Sequence, residues 1–179
     1  MLSEEDSLVL VIDIQEKLVN ALEKSSIVDS ASKLVKAANI LDIPVILTEQ
    51  YPKGLGDTVL DIKENCSNDS LFFEKTYFNA ILEEGLLEKI QSYGKKQIVI
   101  MGIETHICVY QTASALVEAG FEVYAVKDAC ASRKKYEFKQ GIEAMKQNGV
   151  KISCVEIVLF EWLKGAKHPK FKEVQALIK

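Results

Sequence analysis

Histidine is scarce: His106 and His168 are the only two in 179 residues. They stand far apart, and no group of His, Cys and carboxylate residues shows metal-ligand spacing, so no metal site is expected. Glycine-rich phosphate loops are missing as well. Without a G-x-G-x-x-G or Walker A match, neither a dinucleotide nor a nucleoside triphosphate is implied, and no cofactor is expected. Positive charge is not in excess. The net charge of −4 offers no basic field, so neither nucleic acid nor an anionic membrane is expected as a partner. No apolar run approaches the roughly 18 residues needed to cross a bilayer. The opening "MLSEEDS" is short and acidic, unlike a signal or Arg-rich transit peptide, and a cytoplasmic protein is expected. Cys66, Cys108, Cys130 and Cys154 form no C-x-x-C pair, which in a reducing compartment predicts free thiols.

What remains is an ordinary soluble composition, 48% hydrophobic and 27% charged, with enough length to bury a core. No repeat or Pro/Gly/Ser-rich linker divides the chain, and Pro44, Pro52 and Pro169 sit at element edges, so a single domain over residues 1–179 is expected. Six apolar runs have strand length: "LVLVID" from Leu8, "PVILT" from Pro44, "LFFEK" from Leu71, "QIVIMG" from Gln97, "EVYAVKD" from Glu122 and "KISCVE" from Lys151. Several are apolar at nearly every residue, as strands covered on both faces are. Helical periodicity fills the gaps over Ile27–Leu41, Leu82–Tyr93 and Cys108–Ala119, and again around Ile142–Met145. The apolar "EIVLFEWL" and an amphipathic tail helix, "HPKFKEVQALIK", complete the pattern. Alternating strands and helices predict a three-layer α/β/α domain with a mainly parallel, roughly six-stranded sheet.

Ligands of such sheets bind beyond the carboxyl ends of the strands. Asp13 closes the first run, Lys75 the third and Asp128 the fifth, while Cys108 lies just past the fourth at a helix start. A strand–turn–helix sets the Cys108 thiol beside free backbone N–H groups and the positive end of a helix dipole, which favours a thiolate. The same N–H groups suit a developing oxyanion. Each residue also has a plain reading. Cys108 can be a small core residue, Asp13 a helix cap and Lys75 a snorkelling surface amine. Taken together they make a mechanism, with a carboxylate to accept the thiol proton and an ammonium to hold the carboxylate ionised. His106 stands too close in sequence to Cys108 to turn its ring onto the thiol.

At these residues the chain resembles the isochorismatase-like cysteine hydrolase family, and within it the isochorismatase domain-containing subgroup. The resemblance rests on "VIDIQ", "EKTYFNA", "GIETHICVYQTA" and "AVKDACASR" in that order, with "TEQYPKGLG" and the tail pointing to the subgroup. It implies a Rossmann-like sheet fold, a catalytic triad of Asp13, Lys75 and Cys108, and a cis peptide between Ile103 and Glu104 that serves the oxyanion. Gln15 is carried over as a residue near the substrate, and Tyr51, Tyr77 and Phe78 are candidates to line its pocket. The histidine-bearing metal loop of nicotinamidases is absent from "TEQYPKGLGDT", which speaks against that activity and against a catalytic zinc. The resemblance also implies a homo-oligomer. The expected activity is metal-independent hydrolysis of a small amide-like substrate through a thioester at Cys108. The alternatives are a non-catalytic oligomeric binding or scaffold module and a vinyl-ether hydrolase of the isochorismate type.

Overall fold

The computed structural model describes residues 1–23 and 25–179. The six apolar runs become β1 (Ser7–Ile12), β2 (Val45–Gln50), β3 (Leu71–Lys75), β4 (Gln97–Ile103), β5 (Glu122–Ala131) and β6 (Lys151–Ser153). They form one sheet in the order β3-β2-β1-β4-β5-β6, and every pairing is parallel. The central strands β1 and β4 are buried along their whole length, which is why they read as unbroken apolar runs.

The helices are α1 (Glu16–Asn20), α2 (Ile27–Ile40), the single turns α3 (Pro52–Leu55) and α4 (Leu60–Lys63), α5 (Leu86–Ser92), α6 (Tyr110–Glu118), α7 (Lys135–Gln147), α8 (Val155–Leu163) and α9 (Phe171–Gln175). α2 packs on the sheet with α4, α8 and α9 against it, while α6 and α7 pack together on β5 and β6 from the other side. α8 is more apolar than α2, α6 or α7 and sends Val155, Val158, Leu159, Trp162 and Leu163 into the core. Its Trp162 is fully buried, and the indole N–H donates to Ser7 Oγ at 2.9 Å, so the large ring is buried without a stranded polar atom. This is an α/β fold with a six-stranded parallel sheet flanked by helices.

Several expectations shift. β5 does not end at Asp128 but runs on to Ala131, because its register with β4 slips between Ile100 and Gly102. Asp128 therefore sits within the strand's irregular stretch, and its carboxylate accepts the Val155 N–H (3.0 Å) at the start of α8, away from the catalytic edge. The helix expected over Leu82–Tyr93 is broken at Gly85, whose positive φ separates a 3-10 turn (Ala80–Leu82) from α5. The helix expected from Cys108 starts earlier, as a π-helical turn over Thr105–Val109 that runs into α6. The tail helix is short, α9 followed by a 3-10 turn at Ala176–Ile178.

Strand order fixes where a site can form. From β1 the chain lays down β2 and β3 on one side, and from β4 it lays down β5 and β6 on the other. The crevice between the carboxyl ends of β1 and β4 is thus the topological switch point, the usual ligand position in such sheets.

Candidate active site

Asp13 follows β1 directly into that crevice. Its backbone has φ 52, a left-handed conformation that aspartate tolerates better than most residues. The Asp13 N–H donates to Thr48 O (3.2 Å), and Gln15 N–H donates to Asp13 O (2.8 Å). The carboxylate is wholly buried. Oδ1 accepts from Thr48 Oγ1 at 2.7 Å, and Oδ2 lies 2.7 Å from Lys75 Nζ. Lys75 is equally buried at the end of β3, so the surface reading of this lysine is wrong. Its ammonium also directs hydrogen bonds to Gln50 Oε1 (2.6 Å) and Tyr77 O (3.2 Å), so it is held between the carboxylate and two neutral acceptors. Burial pushes the Asp13 carboxyl above its usual range, against the pull of Lys75 and the Thr48 hydrogen bond. The effect makes Asp13 a stronger base than an exposed aspartate.

Cys108 lies in the π-helical turn after β4, buried to 6% exposure, with its thiol beside Asp13 and Lys75. Two close backbone approaches position this elbow. A Cβ on Gly102 (φ 146) would stand 2.0 Å from Ile12 O, so only glycine lets the end of β4 lie against β1 next to Asp13. A Cβ on Gly141 of α7 would stand 2.8 Å from the backbone of His106, so α7 clamps the turn from outside. The peptide between Ile103 and Glu104 is cis. The thiol does not rest as the thiolate favoured by the helix-start reading. Burial and the negative charge of Asp13 push it up to about 12, and Lys75 only partly offsets them.

The thiol and Asp13 open onto a cavity of about 340 Å³ whose walls include Leu18, Leu55, Phe78 and Ile107. A volume near the lower end for ligand pockets suits a small molecule. Of the other anticipated residues, Phe78 and Glu104 line this cavity, whereas Gln15, Tyr51 and Tyr77 do not. Gln15 is a brace. Its Nε2 donates to Gln50 O (3.0 Å) and Gly56 O (2.6 Å), and its Oε1 accepts from Gln50 N (2.7 Å), fastening the loop after β2 to the strand. Tyr51 is mostly exposed and faces a separate hollow with Pro52 and Glu83, and Tyr77 contributes its carbonyl to Lys75. Residues the sequence reading passed over are Thr48, Gln50, Lys17 and Arg133. Arg133 lay within the quoted "ACASR", but nothing in one sequence says that β5 ends beside β4.

Glu104, His106 and Glu137 bring potential metal-ligand atoms within 4.8 Å of one another, a grouping that spacing along the chain concealed. Both oxygens of Glu104 already accept from Arg133, through Nε (2.6 Å) and the backbone N–H (3.2 Å), and His106 Nδ1 pairs with Ser132 Oγ (3.0 Å). A cation there would have to displace these partners. The four cysteines are all free thiols.

A buried acid, an ammonium and a thiol thus meet at the switch point of a parallel sheet. Residues 7–157 match the isochorismatase domain, and the chain belongs to that family. It is 37% identical over 179 residues to isochorismatase domain-containing protein 1 of Danio rerio, covering 99% of this chain and 62% of that protein. It thus spans less than two thirds of that relative's length. It is 39% identical over 179 residues to isochorismatase domain-containing protein 2 of Xenopus laevis, covering 99% of this chain and 85% of that one. Among solved structures it is similar to MAR1 ribonuclease from Caenorhabditis elegans, with a TM-score of 0.93 at 36% identity over 99% of this chain and 91% of that one.

Proposed function

We propose that this chain is a cysteine hydrolase that cleaves a small amide-like C–N bond, without a metal, through a thioester at Cys108. The observation that carries the reading is the buried Asp13–Lys75 pair, 2.7 Å apart, facing a thiol on the floor of a mainly apolar cavity. Asp13 Oδ2 takes the thiol proton as sulfur attacks the carbonyl carbon. The C–S bond forms and the carbonyl oxygen becomes an oxyanion, received by backbone N–H groups around Glu104 and Cys108. The charge of the group is relocated rather than created. Before attack it is a carboxylate, an ammonium and a neutral thiol; after attack it is a carboxylic acid, an ammonium and an oxyanion. Lys75 serves both states. Collapse of the tetrahedral intermediate breaks the C–N bond, and Asp13 returns its proton to the departing nitrogen. Water, deprotonated by Asp13, then cleaves the thioester to release the acid and restore the thiol.

The test is a panel of small amides, with intact mass measured on quenched reactions. The wild type is expected to show turnover and an acyl adduct on Cys108, and Cys108→Ala neither. Turnover persisting in Cys108→Ala on the same substrate would refute the covalent scheme. Vinyl-ether hydrolysis predicts activity on a vinyl ether that survives Cys108→Ala, and a scaffold predicts no turnover in either protein. The Caenorhabditis elegans relative is described as a ribonuclease, so an RNA oligonucleotide belongs in the panel. The net charge of −4 and the small apolar cavity favour a small substrate over a polyanion. We also propose that the chain forms a homo-oligomer. Tyr51, Tyr77, Phe78 and Leu82 leave large apolar side chains exposed on the segments that follow β2 and β3.

A further inference from the structure

The buried Lys75 ammonium faces three oxygens: Asp13 Oδ2 at 2.7 Å, Gln50 Oε1 at 2.6 Å and Tyr77 O at 3.2 Å. One belongs to the base and one to the main chain. Gln50 is the neutral side chain of the three. It ends β2, between the strands that bring Asp13 and Lys75, and it is the direct register partner of Lys75 on β3. Side chains at paired positions of neighbouring strands leave the sheet side by side. The amide fits its surroundings one way only. An ammonium can only donate, so it must meet the carbonyl oxygen, and Nε2 is then left to donate to Thr76 O at 2.8 Å. The Gln50 main chain is fixed in turn, its N–H on Gln15 Oε1 (2.7 Å) and its carbonyl on Gln15 Nε2 (3.0 Å). Gln50 lines the cavity, yet both ends of its amide are spent within the protein.

We infer that Gln50 is the positioning residue of the buried acid–ammonium pair, a neutral acceptor that holds the Lys75 ammonium against Asp13. Its neutrality matters as much as its reach. With Gln50 in place, Asp13, Lys75 and the Cys108 thiol sum to zero charge. Glu104, Lys17 and Arg133 also line the cavity, but among the described residues none of them pairs with Asp13 or Lys75. A carboxylate at position 50 would share the ammonium between two anions and make each harder to ionise. An apolar side chain there would strand one buried ammonium hydrogen, at the full desolvation cost of that donor. The inference rests on the hydrolase reading only for its effect on turnover. The hold on Lys75 is a property of the resting protein and is measured without substrate.

The experiment is NMR on the full chain, with lysine labelled at Nζ and aspartate and glutamate labelled at the carboxyl carbon. Lys75→Met and Asp13→Asn identify the two signals. In Gln50→Met the Lys75 ammonium hydrogens should exchange with water about tenfold faster than in the wild type, the effect of one lost hydrogen bond. In Gln50→Glu the two neighbouring carboxyls should titrate as a pair, the upper step about one pH unit or more above the wild-type Asp13 midpoint. Should Gln50→Met fail to fold, Gln50→Glu decides alone, because its protonated carboxyl offers the same acceptor and donor as the amide. Equal exchange in the wild type and Gln50→Met would overturn the inference and leave Gln50 a brace between β2 and Thr76. Both carboxyls of Gln50→Glu titrating at or below the wild-type Asp13 midpoint would overturn it too. On an amide that the wild type turns over, Gln50→Met should lower kcat about tenfold and leave KM within about twofold. A raised KM with kcat unchanged would make Gln50 a substrate contact and contradict the positioning role. The expected NMR changes with no turnover in the wild type would sink the hydrolase reading and spare the hold on Lys75, whereas wild-type turnover without those changes would do the reverse.

Discussion

In the proposed mechanism Asp13 has to do two opposed things at once. It must stay ionised while fully buried, which Lys75 and Thr48 arrange, and it must still want a proton, which burial arranges. The balance has a direction that can be read in a pH profile. Only the carboxylate form can accept the thiol proton, and its pKa is raised in the folded protein, so activity falls as pH drops through that raised value. The acid limb of kcat/KM should therefore lie above the ordinary carboxylate range near 3.9. A limb at or below that range would mean that Asp13 is not the base. Cys108 and the two residues that set its state were legible as reactive side chains at strand ends. Their protonation states were not, because burial decides them. The helix-start argument alone would have left Cys108 a thiolate, whereas 6% exposure beside a carboxylate holds it as a thiol. Gln15 shows the opposite failure. It neighbours the site in sequence, yet its amide is spent on three backbone hydrogen bonds to Gln50 and Gly56.

At the scale of elements, the site is an alignment of strand ends. β1 brings Asp13, β3 brings Lys75 and β4 leads to Cys108, and these three are gathered only because β2 and β1 lie between β3 and β4 in the sheet. Sequence periodicity gives strands and their ends, not their lateral order, which is why Thr48 and Gln50 on β2 went unremarked. The slip in β5 was equally invisible, and it is what moves Asp128 away to cap α8. The junction of β1 and β4 depends on Gly102. Gly102→Ala would drive a methyl group onto the Ile12 carbonyl, 2.0 Å away, in a backbone conformation that alanine disfavours. It should cost at least about 2 kcal/mol of stability, seen as a lower midpoint in urea. It should also cut turnover, because the displaced β1 carries Asp13. A Gly102→Ala protein with wild-type midpoint and turnover would show that this approach is not what sets the site.

The whole molecule buries its sheet between two helical layers but leaves apolar side chains uncovered beside the edge strand β3. Among the described residues no helix is long and apolar enough to cross a membrane. A second copy over Tyr51, Tyr77, Phe78 and Leu82 would account for that exposure and would stand close to the cavity mouth, where Phe78 already lines the wall. Light scattering should give a mass that is a multiple of the 20.0 kDa chain. Changing Phe78 and Leu82 to Ser should lower that multiple, and a monomeric wild type at micromolar concentration would contradict the assembly. The parallel three-layer architecture was plain from the alternation of apolar runs and helical periods. What covers the edge of the sheet was not, since one chain's pattern does not say which exposed face meets another copy.

The most direct measurement of the central claim, that Asp13, Lys75 and Cys108 form one working group, is the rate of iodoacetamide modification at Cys108 against pH. It is followed by mass spectrometry in the wild type, Asp13→Asn and Lys75→Met. Asp13 raises the thiol pKa and Lys75 lowers it. Asp13→Asn should therefore move the midpoint of the Cys108 profile to lower pH while abolishing turnover, and Lys75→Met should move it to higher pH than in the wild type. Shifts of opposite sign are the signature of an assembled group. Profiles that coincide in all three proteins, or that move in the same direction in both variants, would contradict it.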